Sequence, residues 1–121
     1  MPSPRDAAPP LSRPVSEVKA ELFKALAHPA RIRALEVLSG GEMSVGDLVP
    51  LVDIEASHLS QQLAVLRRAG LVTSRREGTS VIYAIADDRL VDLLAVAKQL
   101  LIGSLTQSAD VLADLRATVN E

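Results

Sequence analysis

The stretch Glu55–Gly70, EASHLSQQLAVLRRAG, decides how the rest of the chain is read. Leu59, Leu63 and Leu66 recur at the three-or-four spacing that lines one face of an α-helix, with Ala56 and Val65 near that face. The opposite face carries Ser57, His58, Ser60, Gln61, Gln62, Arg67 and Arg68. Apart from the two arginines at its end, this face is almost uncharged. A helix whose only task is to stay soluble normally shows Glu and Lys to water, often as pairs four apart. Hydroxyls, amides and an imidazole are short groups that both donate and accept hydrogen bonds. They suit the base edges of a DNA major groove. On this stretch alone an ordinary Ser- and Gln-rich surface helix is an equal reading, so the flanking residues decide.

On the C-terminal side Gly70 stops the helix and two β-rich pieces follow, LVTSRREG and TSVIYAIA. Leu71, Thr73 and Arg75 alternate in the first; in the second, Val81, Tyr83 and Ile85 oppose Ile82 and Ala84. Glu77-Gly78-Thr79-Ser80 supplies a turn, so residues 71–86 are expected to form a β-hairpin, a wing, with Arg75 and Arg76 near its tip. On the N-terminal side Ser44, with Asp47 three residues on, resembles a capping box. A short helix from about Val45 to Leu51 should follow, with Leu48 and Val49 inward and Pro50 limiting its end. Two short helices joined by a brief turn, the second with a polar face, make a helix-turn-helix over about 44–70.

Further out, Ser16 is a candidate N-cap for a helix marked by Val18, Leu22, Ala25 and Leu26, with Phe23, the only Phe, anchoring it to the core or to a partner subunit. His28-Pro29 breaks that helix and Pro29 can start the next. There Ile32, Leu35 and Leu38 are expected inside, Arg31, Arg33 and Glu36 outside, and Gly40-Gly41 at the end. Residues 1–14 hold five of the seven prolines and no apolar period, the pattern of a disordered tail. At the other end, Asp87 or Asp88 caps a helical region over about 88–119. Leu90, Leu94, Ala97, Leu101, Leu105, Leu112, Leu115 and Val119 keep the three-or-four spacing throughout. Unbroken, it would run to about 45 Å, so Gly103-Ser104 is expected to bend or split it. Such a stripe needs a second surface. A symmetric dimer supplies one, with Leu22, Phe23, Leu94, Ala97, Leu101, Leu105 and Leu112 as interface residues; folding back over its own core is the alternative.

Composition narrows the function. The 121 residues suit one domain, and with 2% aromatics the core must be built of Leu, Val, Ile and Ala. Cys is absent, which excludes disulfides, thiolate metal sites and cysteine nucleophiles. No apolar run reaches the ~18 residues of a membrane span and no secretion signal opens the chain. A cytoplasmic protein without membrane contact is expected. Net charge is −2, but residues 55–86 carry +2 and the remainder −4, so the polar helix and wing are the basic part of an acidic protein. A DNA affinity that falls with salt follows.

The order of these pieces resembles the ArsR/SmtB family of bacterial winged helix-turn-helix repressors. The resemblance rests on HPARIRALEVL, S-x-L-S-Q-Q-L-x-V-L-R-x-A-G-L-V, R-R-E-G and an I-Y ending the second wing strand, and it spans about Glu17 to Leu101. It implies a mainly α fold with a small β-hairpin, dimerising through the first and last helices. It also implies binding to an inverted-repeat operator in double-stranded DNA, released by an inducer that is often a metal ion. Carried over by position, Ser57, Ser60, Gln61 and Gln62 fall on the base-reading face, Arg67 beside the backbone, and Arg75, Arg76 and Thr79 on the wing.

The usual sensing residues are missing. Members that detect soft metals place cysteines in or near the short helix, where this chain has Met43-Ser44-Val45-Gly46-Asp47. Members that detect zinc at the last helix use Asp, His and Glu; here Asp87, Asp88 and Asp92 occur, but no His follows His58. His28 is read as a structural hydrogen-bonding group and His58 as a DNA contact. No metal site and no cofactor are expected. Nor is an enzyme, since there is no phosphate-cradling Gly loop, no nucleophile beside a base and no pair of carboxylates on a shared turn. Two rival readings stand: a winged-helix regulator answering to a small organic ligand, and a helical interaction module using the C-terminal stripe.

Overall fold

In the computed structural model, which describes residues 13–119, helix α1 spans Val15–Leu26 and α2 Pro29–Leu38. A two-residue strand, β1 (Met43–Ser44), leads into α3 (Val45–Val52) and α4 (Ala56–Arg68). Strands β2 (Val72–Glu77) and β3 (Ser80–Ile85) follow, then α5 (Arg89–Val119). The described chain falls into two units, one ending at Ala86 and the other beginning at Asp87. The tail expected over residues 1–14 lies outside the described residues up to residue 12.

Local chemistry sets most of these boundaries. The α1 helix begins two residues earlier than a Ser16 cap would put it: Pro14 is the N-cap and no side chain caps the helix. Arg13 just before it pairs with Glu21 at 2.6 Å and Glu17 at 3.5 Å. His28 caps α2 through Nδ1, which accepts from the Ala30 N–H at 3.1 Å, and Pro29 takes the first position, where no N–H is needed. Ser44 caps α3, its Oγ accepting from the Asp47 N–H at 3.1 Å. Pro50 lies inside α3 without ending it, and Asp53 closes the helix in the left-handed region at φ 60°. At the end of α4, Gly70 adopts φ 77° while its N–H bonds to the Arg67 carbonyl and the Leu71 N–H to that of Leu66. This paired closure satisfies two carbonyls that a helix end would otherwise leave open.

In the first unit the core is aliphatic. Ala34, Leu35, Leu48, Val52, Leu59, Leu63 and Leu66 are fully buried, joined by Leu26, Leu38, Val72 and Tyr83. Val49, expected inward, is only half-buried, and Val52 is the residue that closes the α3 core instead. Phe23 is 56% exposed and so does not anchor α1 to this core. The antiparallel sheet has three strands in the order β1-β3-β2. Besides the hairpin register Glu77↔Ser80 to Val72↔Ile85, Met43 pairs with Tyr83 and Ser44 with Ile82, which fixes the start of α3 to the wing.

The second unit is one continuous helix. The expected break at Gly103-Ser104 does not occur: glycine inside a helix costs about 1 kcal/mol relative to alanine, not enough to split 31 residues of otherwise helical sequence. Its start is held by Asp87, whose carboxylate accepts from the Arg89 N–H at 2.9 Å and pairs with the Arg89 guanidinium at 2.6 Å. Contrary to the expectation that no apolar stretch is long enough for a membrane span, Arg89–Ala117 is by length and composition apolar enough to cross one, at a mean hydropathy of 1.3. Asp92, Lys98 and Asp110 break up the apolar residues of this helix.

Candidate nucleic-acid interface

Helix α4 turns its leucines inward and leaves Ser57, His58, Ser60, Gln61, Arg67 and Arg68 exposed. Of these, Ser57 Oγ donates to Glu55 at 3.3 Å, and Arg67 donates to Ser74 Oγ of β2 at 3.4 Å, linking the end of α4 to the wing. His58 stands edge-on to His28, ring centroids 6.3 Å apart. Ser60 shares an open cleft of about 380 Å³ with Ser44 at the start of α3 and Thr79 and Ser80 of the wing turn. Short helix, polar helix and wing thus meet around a set of hydroxyls.

Gln62 does not belong to this exposed face. It is 9% exposed, and its Oε1 accepts from Arg31 Nε at 2.7 Å. The reason is helical geometry: Gln62 lies three residues after Leu59 and four before Leu66, on the inner side. Arg31, expected outward, is half-buried for the same reason, standing four residues before Leu35 and seven before Leu38. Its guanidinium also donates to the carbonyl oxygens of Ala25 at 3.2 Å and Lys24 at 3.5 Å, at the end of α1.

The wing turn Gly78-Thr79 is two residues long, and Gly78 takes φ 63°, the positive angle that tight hairpin loops require at their first position. Arg76 has no charged partner among the described residues. Arg75 is engaged: it grips Glu42 with two bonds, 2.5 and 2.8 Å, and Glu77 at 3.0 Å. The hydrogen bond from Arg75 holds the Glu42 carboxyl below its ordinary range, and both acids raise the already high affinity of Arg75 for its proton. Glu42, in the loop before β1, carries no local signal in the sequence, because its partner stands 33 residues away. Among the described residues no three His, Cys, Asp or Glu side chains gather where they could hold a metal ion.

Residues 28–74, from the α2 cap to the first wing strand, match the bacterial regulatory proteins of the arsR family. An uncharacterized HTH-type transcriptional regulator of Mycobacterium tuberculosis, Rv0081, is 53% identical over 107 residues, 88% of this chain and 94% of that protein. The chain belongs to the ArsR family. It is accordingly a DNA-binding transcriptional regulator with a winged helix-turn-helix fold, and not an enzyme. A further relative, the biofilm growth-associated repressor of Agrobacterium fabrum, is 45% identical over 71% of this chain and 73% of its own length. The crystal structure of Rv0081 superposes with a TM-score of 0.74 at 52% identity, over 81% of this chain and 99% of that one. The solution structure of a homodimeric winged helix-turn-helix DNA-binding domain from Mycobacterium bovis superposes at 0.65 with 31% identity, over 84% of this chain and 88% of that one.

Proposed function

We propose that this regulator is a homodimeric repressor that reads an inverted-repeat operator through the exposed face of α4. The observation that carries the reading is the division within that helix. Its leucines are fully buried, while Ser57, His58, Ser60 and Gln61 stand in solvent with arginines only at the C-terminal end. Gln61 makes the main base contact, through an amide that can pair with two adjacent groups on an adenine edge. Ser57, His58 and Ser60 contribute, and Arg67, Arg68, Arg76 and Thr79 hold phosphates. Arg75 does so to a lesser degree, because Glu42 and Glu77 already compensate its charge.

Dimerisation is supported by the homodimeric M. bovis domain and by the apolar residues this chain leaves uncovered: Phe23 on α1, and Leu101, Leu105 and Leu112 on α5, with Leu22, Leu94 and Ala97 beside them. The same stripe is why α5 is read as an interface rather than a membrane span. Two-fold symmetry would set two α4 helices in successive major grooves, half-sites about 10 bp apart. Control does not run through the family's usual metal sites, since the chain has no Cys and only His28 and His58. The site of action is the cytoplasm, where the DNA is.

The test is the binding of purified protein to its own upstream DNA and to an unrelated duplex, across a salt series, with and without zinc and a chelator. Tight, sequence-selective binding indifferent to metal is expected. Release by zinc would overturn the loss of metal sensing, and equal weak binding to both duplexes would remove the operator reading.

A further inference from the structure

We infer that Arg31 and Gln62 are a positioning pair that sets the rotation of α4 and ties it to the last turn of α1, so that base discrimination depends on where α1 stands. The inference rests on the proposal that α4 reads bases. Packing alone does not need an amide at position 62. The flanking Leu59, Leu63 and Leu66 are fully buried, and another apolar side chain there would pack without requiring a partner. Apolar burial is non-directional, so it tolerates small rotations of the helix. A 2.7 Å hydrogen bond does not. Adjacent helical residues turn together, so whatever holds Gln62 also aims Gln61.

The other end of the pair points to α1. The Arg31 guanidinium is planar and stiff. It bonds Gln62 through Nε while Nη1 takes the carbonyl oxygens of Ala25 and Lys24. No carboxylate pairs with it among the described residues; the negative end of the α1 dipole compensates its charge. One rigid group therefore bridges α1, α2 and α4. Because α1 carries Leu22 and Phe23 of the proposed dimer surface, a change in how two copies meet would reach the reading helix through this guanidinium.

Two variants test the pair, each near in size to the original. Gln62→Met keeps the bulk and removes the acceptor; Arg31→Lys keeps the charge and removes the fork. Full-length wild-type protein first selects its preferred duplex from a random-sequence pool. Each variant is then measured on that duplex and on an unrelated one across a salt series, with a thermal melt and amide hydrogen exchange of α1. The ratio of the two affinities should fall about tenfold in each variant, the scale of one hydrogen bond to a charged group. The salt slope on the unrelated duplex should not move, and the double variant should lose no more than either single one. Exchange at the last turn of α1 should quicken in Gln62→Met. An affinity ratio kept within about twofold by either folded variant, or losses that add, would overturn the inference. So would unchanged exchange in α1, or unfolding of both variants, which would make the pair purely structural. If wild-type protein selects no sequence from the pool, it is the base-reading proposal that fails instead.

Discussion

Helices α4 and α5 are written in the same pattern and meet different fates. Each repeats leucine every three or four residues, yet Leu59, Leu63 and Leu66 of α4 are fully buried while Leu101 and Leu105 of α5 are 65% and 70% exposed. Periodicity states which side of a helix wants a surface. It does not state whether that surface belongs to the same chain. In α4 the neighbours are a few residues away in sequence, in α3 and in the wing. In α5 Leu101 and Leu105 stand exposed, and it is the proposed dimer that would cover them.

Substitutions in the two stripes should therefore fail differently. Leu63→Ala removes a fully buried side chain and should cost ~2–5 kcal/mol of stability by denaturant unfolding; a loss under ~1 kcal/mol would show the α4 core to be looser than its burial implies. Leu105→Asp should leave the helical signal nearly intact while sedimentation shows monomers, and operator binding should weaken about a hundredfold as the two half-sites are no longer held together. A persisting dimer would contradict the assignment of the α5 stripe.

Within the basic surface the contrast is between paired and unpaired arginines. Arg76→Ala should weaken binding to every duplex and flatten the salt slope by about 0.9, whereas Arg75→Ala should flatten it less, since Glu42 and Glu77 already occupy that guanidinium. Equal slopes for the two variants would make Arg75 a full phosphate contact. The smallest effect concerns the start of α5. The Arg89 side chain and N–H lower the Asp87 carboxyl to about 2. A depressed carboxyl stabilises the fold above its ordinary range, and that contribution is lost as pH falls from that range towards about 2. Asp87→Asn should erase this acid dependence of α5 helicity and change little at neutral pH.

The helix-turn-helix and the wing were legible because their signals are local. Ser44 and Asp47 mark the start of α3, Gly70 the end of α4, and Gly78 the wing turn. Strand β1 was not, since two residues carry no period and its partner Tyr83 lies forty positions on. Gln62 and Arg31 are side chains that polarity places outward, yet their spacing to Leu66 and to Leu35 and Leu38 puts both inside; there the helical period is the better guide. The expected break at Gly103 overrates one glycine against fourteen helical residues before it and sixteen after it.

The most direct test of the account compares Gln61→Ala with wild type on the preferred operator and on an unrelated duplex at the same salt. The account predicts a loss of ~1–3 kcal/mol on the operator and none on the unrelated DNA. An equal loss on both duplexes, or none on either, would contradict base reading by the exposed face of α4.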